Sequence, residues 1–275
     1  SLHDALPIYL IMRLLLIAPG YLPYTFSENL CNGKLAYAMY KKGWHVDVLS
    51  KVDEGPAYST EWTEPWMPLK KNNITITYPV GGKLTRMWDV LRSSVKLGMY
   101  PEVGVRWACR AYELALKLCK ENHYDAVLTR SPSDIPHIIG LRLKEKLGIR
   151  WIANWNDPAA PIWPEPYTHH FSAKEQARRD QFTRMCLKGA DVNTFPSQSL
   201  LEHFTSHYPF LAEQKTEVIP HIALVEDIVP RLKVKPVNDK FRMCHSGNLS
   251  IERNPELTFK ALRELINEGF NKMEF

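Results

Sequence analysis

Short apolar runs alternate along this chain with longer stretches in which apolar residues recur every three or four positions. The runs at 13–18 and 126–129 consist mainly of apolar residues, which is typical of strands buried on both faces of a parallel sheet. The periodic stretches between such runs predict helices that bury one side against the sheet. The alternation therefore predicts an α/β fold built on a right-handed, doubly wound parallel sheet.

The pattern also places the individual elements. The predicted strands are residues 13–18, 45–49, 74–78, 126–129, 151–154, 191–194 and 217–219, and the predicted helices are 27–42, 83–97, 102–122, 133–147, 172–188 and 197–207. Ser27 has the side chain of an N-cap residue, and Gly43 and Gly148 are expected to end helices. The long connection at 52–73 is expected to be functional or mobile, as loops of that length in compact domains tend to be.

The strand and helix pattern stops after residue 220. Residues 221–240 show no periodicity and contain prolines, so they are predicted to be an interdomain linker. A short apolar run, a turn at Gly247 and an amphipathic helix follow, and this order is half of a mononucleotide-binding crossover. We therefore predict a first domain at 12–220 and the start of a truncated, second Rossmann-like domain at 241–275.

The first residues are treated separately. Residues 1–11 precede Met12 and are expected to be non-native or an upstream extension. A signal peptide is the rival interpretation, but Arg13 interrupts the apolar run and no small-residue cleavage site follows it. No stretch approaches ~18 uninterrupted apolar residues, so no membrane-spanning helix is predicted.

Composition narrows the class of protein. The chain has 275 residues, of which 45% are hydrophobic and 24% charged, as in ordinary globular proteins. Its five cysteines form no CxxC pair, so neither a disulfide framework nor a structural zinc site is indicated, and a reducing cytoplasm fits best. The net charge is +5, and Lys and Arg alternate with Asp and Glu along most of the chain. This does not resemble the concentrated basic surface of a nucleic-acid-binding protein.

Candidate site residues are sought after the strands, because ligands of open parallel sheets bind beyond the carboxyl ends. The loop at 19–29 lacks a GxGxxG fingerprint and so does not predict a tightly bound dinucleotide, although its backbone amides could hold a hydroxyl or phosphate group. Arg130 could contact an anionic ligand, and Asn156 with Asp157 could bind sugar hydroxyl groups. His137 lies one turn into the next helix. The structural alternatives are a capped loop, a surface ion pair, an Asp-Pro turn and a buried histidine.

The turn at Gly247 is a further candidate. Gly247 would let the backbone approach a phosphate closely, and Arg253 stands just before a helix N-terminus, where it could neutralise a diphosphate. The alternative is an ordinary glycine turn with an exposed arginine. Two crossover openings joined by a linker favour a ligand in an interdomain cleft.

From Met12 onward the chain resembles the retaining glycosyltransferases of family 4. The resemblance rests on the order and spacing of the segments MRLLLIAPGYLP, LAYAMYKKGWHVDVLS, YDAVLTRSPSDIPHIIGLRLKEKLGIRWIANWNDP, ADVNTFPSQSLLEHF, VIPH and HSGNLSIERNPELTFKAL. It implies the GT-B fold, in which two Rossmann-like domains face each other and the N-terminal domain lies on the acceptor side.

The resemblance implies roles for residues of the first domain. Many relatives carry a Gly-Gly pair in the first loop, where this chain has Phe26 and Ser27. Many have a histidine close to the reacting sugar, where this chain has Asn156, and Asp157 follows as in relatives with an Asp-Pro-Trp motif. Asn156 and Asp157 are thus the expected catalytic positions. The expected acceptor-binding residues are Gly20, Phe26, Ser27, Glu28, Arg130 and His137.

The implied donor site lies in the second domain. Relatives often read Gly-Arg-Leu there, with a lysine further on, and both basic groups hold the nucleotide diphosphate. This chain keeps Gly247, has Asn248 in place of the arginine, and has Arg253 at the lysine position. The acidic Glu-x7-Glu motif that binds the donor would lie beyond Phe275, so this chain alone is expected to be inactive.

The implied activity is transfer of a sugar from a nucleotide-diphosphate donor to a glycan or lipid-linked acceptor, with retention of configuration, in polysaccharide biosynthesis. Neither a cofactor nor a metal is expected, since the leaving diphosphate itself can accept the acceptor proton. A nucleotide-sugar 2-epimerase of the same fold and a non-catalytic nucleotide-sugar-binding module are the alternatives. Donor-binding assays with several nucleotide sugars would distinguish them.

The expected location is the cytoplasm, with a second hypothesis of peripheral contact at the inner face of the membrane. Residues 83–110 interleave basic side chains with apolar ones such as Trp88 and Trp107, as interfacial amphipathic helices do. The alternative is two helices that cover the sheet and expose a solvated basic face. No nucleic-acid partner is expected.

Overall fold

A computed structural model describes residues 11–22, 27–51, 73–76, 82–102, 104–130, 134–223, 241–245, 254–270 and 272–274. The chain forms two compact units. The first comprises Ser1–Trp163 and His169–Leu224, and the second comprises Pro164–Thr168 and Val225–Phe275. The predicted linker at 221–240 and the predicted loop at 52–73 lie almost wholly outside the described residues.

The first unit alternates strands and helices, as predicted. Its strands are β1 (Arg13–Ile17), β2 (His45–Lys51), β3 (Asn73–Ile76), β4 (Ala126–Arg130), β5 (Trp151–Asn154), β6 (Val192–Phe195) and β7 (Thr216–Val218). Its helices are α1 (Ser27–Lys41), α2 (Lys83–Leu97), α3 (Val105–Glu121), α4 (Ile135–Leu147), α5 (Ala173–Gly189) and α6 (Gln198–His207), with 3₁₀ turns at Ala160–Ile162 and Pro209–Glu213.

All seven strands form one parallel sheet in the order β3-β2-β1-β4-β5-β6-β7. The predicted doubly wound α/β class is confirmed. Leu14 of β1 lies beside Val46 of β2 on one side and beside Ala126 of β4 on the other. The order of strands reverses between β1 and β4, and this is the point where open sheets of this kind bind ligands, beyond the carboxyl ends.

The central strands β1 and β4 are buried on both faces, which explains their apolar runs. Leu14 and Leu16 pack into one core with residues of α1, whereas Leu15 and Ile17 pack into a larger core on the opposite face. Successive side chains of a strand point to opposite faces, so burial of both faces favours apolar residues at consecutive positions. The same rule holds in β4, where Val127 and Leu128 belong to different cores.

Two details of the elements differ from expectation, and one agrees with it. Helix α1 begins at Ser27 itself, so Ser27 is its first helical residue rather than its N-cap. Arg130 does not follow β4 but is its last residue, paired with Asn154 of β5. Gly43 and Gly148 adopt φ angles of 84° and 68° after their helices, as predicted for glycines that end helices.

The second unit contains β8 (Phe241–Arg242), α7 (Glu256–Asn267) and β9 (Met273–Glu274). Strands β8 and β9 pair in parallel, so the helix between them forms a crossover. The predicted strand-to-helix order is therefore present, while the glycine turn itself lies outside the described residues. Across both units, the part of the chain that the structure describes holds no helix long and apolar enough to cross a membrane.

Candidate functional site

Three polar side chains meet where the carboxyl ends of β1, β4 and β5 come together. The Arg130 guanidinium donates through Nη2 to Asn156 Oδ1 at 2.8 Å. The Asn156 amide donates to Glu28 Oε1 at 2.7 Å, and this carboxylate oxygen lies 3.8 Å from Arg130 Nε. Glu28 comes from the first turn of α1, so the cluster joins three elements of the sheet edge. We call Glu28, Arg130 and Asn156 the edge cluster.

The edge cluster is largely withdrawn from solvent. The side chains of Arg130 and Glu28 are only 5% and 16% exposed. Burial raises the pKa of Glu28 to about 7, against the opposing effects of Arg130 and the Asn156 hydrogen bond. Burial also lowers the pKa of Arg130, and the nearby Glu28 opposes that effect. The alternative of a surface ion pair for Arg130 is therefore wrong, because the pair is buried.

One donor of the edge cluster makes no hydrogen bond to any residue that the structure describes. Arg130 Nε is buried and, within the described part of the chain, makes no hydrogen bond. The side-chain oxygen of Asn154, in the adjacent strand, is likewise buried without a partner there. Unsatisfied buried polar atoms are costly and rare in native proteins, and a ligand is one of the ordinary reasons for them.

Two further titratable groups lie beside the edge cluster. Burial raises the pKa of Asp157, and His221 opposes that effect. Burial lowers the pKa of His221, helped by the charges of Arg130 and Lys34 and opposed by Asp157. The sequence prediction included Asp157 but gave no role to His221. Its position in the segment VIPH, directly after β7, was the available signal.

Two asparagines of α1 hold the loop after β1. Asn29 donates to the Tyr21 carbonyl at 2.9 Å and Asn32 donates to the Gly20 carbonyl at 2.7 Å. A Cβ atom at Gly20 would lie 2.1 Å from the Asn29 side-chain oxygen, so only glycine fits beside this side chain. Gly20 therefore shapes the loop, and the two asparagines are positioning residues that the prediction missed. Ser27 is exposed at the start of the helix.

An apolar cavity of about 200 Å³ adjoins the edge cluster. Its walls are mainly apolar side chains of the sheet and α1, and its polar lining comes from Arg130, Asn154, Asn156, Thr194 and His221. A concave apolar wall with a few convergent polar groups is the usual form of a small-molecule site.

His137 lies buried below the carboxyl ends of β4 and β5. It has no exposed surface, and its ring lies 4.1 Å from that of Trp155 in the core. Trp151 Nε1 donates to Thr129 Oγ1 at 2.8 Å, and this hydroxyl is hydrogen-bonded to His137 Nδ1, also at 2.8 Å. Burial lowers the pKa of His137 to about 3. The structure thus places His137 as a buried residue of the core, and its Nε2 atom makes no hydrogen bond within the described part of the chain.

The remaining predicted residues cannot be placed. Phe26, Gly247, Asn248 and Arg253 lie outside the described residues. Among the residues that are described, no group of three or more His, Cys, Asp or Glu side chains is arranged to hold a metal ion.

Comparison with known protein families gives a match over most of the first unit. The model of a family described as Glycosyltransferase Family 4 matches residues 33–222. No curated protein sequence matches the chain.

Solved structures also resemble this one. LpCGTa in complex with UDP shares 10% sequence identity at a TM-score of 0.53, with 94% of this chain and 64% of that chain covered. A glycosyltransferase from Rickettsia africae ESF-5 shares 13% identity at a TM-score of 0.50, with coverages of 97% and 68%. Phytolacca americana UGT2, solved with UDP-2-fluoro-glucose and pterostilbene, shares 13% identity at a TM-score of 0.43, with coverages of 78% and 55%. This chain thus spans between 55% and 68% of these three chains.

Proposed function

The chain belongs to glycosyltransferase family 4, and from that premise we propose that it transfers a sugar from a nucleotide-diphosphate donor to a glycan or lipid-linked acceptor, with retention of configuration. The observation that carries the proposal is the edge cluster: a buried Arg130, paired with Glu28 and Asn156, stands at the carboxyl edge of the parallel sheet. This is the position where folds of this type bind their substrates.

We propose that the two parts of the chain bind different substrates. Residues 12–220 would hold the acceptor, with Arg130 facing its anionic group and Asn156 and Asp157 next to the reacting sugar. Residues 221–240 would link to the donor side at 241–275. There Gly247, Asn248 and Arg253 would contact the diphosphate.

In the proposed transfer, the main contributions of the protein are to position the substrates and to stabilise charge. In a retaining front-face transfer, the bond from the anomeric carbon to the diphosphate breaks and the acceptor oxygen bonds to the same face. The leaving diphosphate takes the acceptor proton. Buried polar groups with fixed orientations stabilise developing charge at little reorganisation cost, and Arg130 held by Glu28 and Asn156 has this property.

The proposal is tested by turnover. The full gene product is incubated with radiolabelled UDP-glucose, UDP-N-acetylglucosamine, UDP-galactose or GDP-mannose, together with a lipid extract or methyl glycosides as acceptors. A labelled product whose anomeric configuration matches that of the donor supports the proposal. A nucleotide sugar epimerised at C2 would instead support the 2-epimerase, and donor binding without turnover would support a binding module.

The proposed donor site can be tested by replacing Arg253. Arg253→Ala is expected to weaken nucleotide-sugar binding by at least about tenfold, since it removes a charge-assisted contact with the diphosphate. Isothermal titration of the same four donors measures the change. Arg263→Ala, an exposed arginine further along α7, is the matched control and should bind as the wild type does. Unchanged binding in the Arg253 variant would remove this residue from the site.

We also propose that the protein works at an anionic membrane surface, through one face of α2. The apolar residues Leu84, Met87, Trp88, Leu91 and Val95 recur at helical spacing along one side of α2, and all are exposed, Trp88 by 69% and Val95 by 83%. The basic residues Lys83, Arg86, Arg92 and Lys96 lie along the same helix. An exposed apolar stripe with basic residues is typical of helices that lie in the membrane interface.

Trp88→Glu is expected to reduce binding to phosphatidylglycerol vesicles by about tenfold, because burial of one large apolar side chain is lost. Co-sedimentation measures the bound fraction, and phosphatidylcholine vesicles and raised salt should both reduce it in the wild type. Leu257→Glu, an equally exposed apolar position on α7, is the control and should bind normally. Equal binding by the wild type and the Trp88 variant would contradict the membrane role.

A further inference from the structure

A second cavity lies along the carboxyl edge of the sheet, on the side of α4 and α5. Its volume is about 310 Å³, at the lower end of the range for small-molecule pockets. Two of its lining residues are close in sequence to the edge cluster or its neighbours: Asp134 comes four positions after Arg130, and Pro158 directly follows Asp157. The principal lining side chains are aromatic or charged, namely Tyr100, Trp163, Phe171, Glu102, Asp134 and Arg179.

Asp134 is a buried carboxylate with room for another donor. It is only 7% exposed and lines the cavity. Its Oδ2 accepts two long hydrogen bonds, from the Ala160 amide at 3.4 Å and the Thr183 hydroxyl at 3.3 Å. In the parts of the chain that are described, no donor reaches Oδ1. Burial raises the pKa of Asp134 to about 6. Such a group is stabilised by a ligand that donates a hydrogen bond to it.

Arg179 is held in place by its neighbours. It donates through Nη1 to Glu102 at 3.2 Å and to the Tyr100 hydroxyl at 3.3 Å, and through Nη2 to Glu175 at 2.9 Å. Its guanidinium also lies 4.3 Å from the centre of the Phe171 ring. Two carboxylates already compensate its charge, and Asp134 adds a further acidic group, so the cavity disfavours an anionic ligand such as a phosphate.

The aromatic side chains complete the recognition surface. The half-buried Trp163 lines the cavity, and its ring meets that of His169 edge-on with centroids 5.9 Å apart. The π face of an aromatic ring is electron-rich and attracts weakly positive C–H groups. A ligand with C–H groups on one face and hydroxyl donors at its rim matches both the indole and the open oxygen of Asp134.

We propose that this cavity binds a neutral sugar residue, stacked on Trp163 and hydrogen-bonded through a hydroxyl group to Asp134. Its place along the same sheet edge as the edge cluster makes it a subsite for a second sugar of a glycan acceptor, and this assignment rests on the proposed function. The sugar-binding property itself does not depend on transfer.

Saturation-transfer NMR tests the site without any donor. The chain is mixed separately with methyl α-glucoside, methyl β-galactoside, methyl α-mannoside and methyl N-acetyl-β-glucosaminide. At least one of them is expected to receive saturation on its ring C–H protons, and Trp163→Ala should weaken its affinity by about tenfold. Asp134→Asn keeps the shape of the side chain but should also weaken binding, because the remaining oxygen accepts from Ala160 and Thr183 and an NH2 donor replaces the open acceptor oxygen.

Tyr40→Ala, which removes an exposed aromatic side chain of α1 outside the cavity, is the control and should bind normally. Thermal unfolding curves confirm that each variant is folded. The inference is overturned if no methyl glycoside binds the wild type, if the Trp163 variant binds as well as the wild type, or if UDP displaces the bound sugar. Each of these results leaves the turnover assay, and hence the proposed function, to be judged separately.

Discussion

Replacing Arg130 by methionine is expected to lower the rate of sugar transfer by about 10²- to 10³-fold, the usual cost of removing a fixed charge-stabilising donor from a site. Methionine keeps much of the apolar stem but removes the guanidinium that holds Asn156 and stands beside Glu28. If Arg130 faces the anionic group of the acceptor, kcat/KM for the acceptor should fall, whereas the affinity for the nucleotide sugar should not change. Initial rates at varied acceptor concentration, with donor affinity by titration, measure the two effects.

Replacing Arg130 also affects the stability of the folded state, by an amount that depends on pH. Without Arg130, Glu28 becomes a buried carboxylate that lacks its compensating charge, so its pKa rises further above about 7. At about pH 6 the group is then protonated and neutral, which limits the cost to the folded state. Rates compared at that pH therefore report on function rather than on unfolding.

Arg184→Met is the matched control for the Arg130 variant. Arg184 pairs with Asp180 on the surface of α5, with its side chain 44% exposed, and such pairs contribute little. This variant should transfer sugar within about twofold of the wild-type rate. If the Arg130 variant does so as well, the edge cluster is not part of the site.

Much of the fold could be predicted, because burial on both faces marks the strands so clearly. Leu14 to Ile17 form an unbroken apolar run since each of them enters a core, and the same is true of Val127 and Leu128. The ends of the elements were harder to place. Arg130 looks like a loop residue in the sequence, yet it pairs with Asn154 inside the sheet, since a charged side chain is tolerated there once its partners are in reach.

For the edge cluster, the residues could be predicted from the sequence but their contacts could not. Glu28, Arg130 and Asn156 were each predicted from their places beyond strands, but their mutual hydrogen bonds were not. Glu28 and Asn156 are 128 positions apart and meet only because β4 lies between β1 and β5. Strand order is a property of the assembled sheet, and no local pattern encodes it.

The surroundings of His137 could not be inferred from the sequence either. Helix α4 is buried along most of its length, from Ile135 to Leu143, so the sequence offers no polar face from which to infer orientation. A polar residue in such a helix looks functional. Here Thr129 satisfies its Nδ1 atom and Trp155 covers its ring, so the histidine serves the core.

Glu28→Gln is expected to change how stability depends on pH. The folded-state pKa of Glu28 is raised from 4.5 to about 7, so its favourable contribution is fully present below about pH 4.5 and is lost as the pH rises through about 7. Glutamine does not titrate and still offers an oxygen to the Asn156 amide. Relative to the glutamine variant, the wild type should therefore lose on the order of 3 kcal/mol of unfolding free energy across that interval.

Urea unfolding of both proteins at several pH values measures this difference. Asp134, whose pKa is raised to about 6, and His137, whose pKa is lowered to about 3, titrate in both proteins and cancel in the comparison. Glu121→Gln removes an exposed carboxylate that lies 3.8 Å from Lys117, and it should leave the wild-type profile unchanged. Parallel profiles for wild type and Glu28→Gln would mean that Glu28 titrates normally. In that case Arg130 would face a fully charged partner at neutral pH, and its guanidinium would be less available to an anionic acceptor than the edge cluster implies.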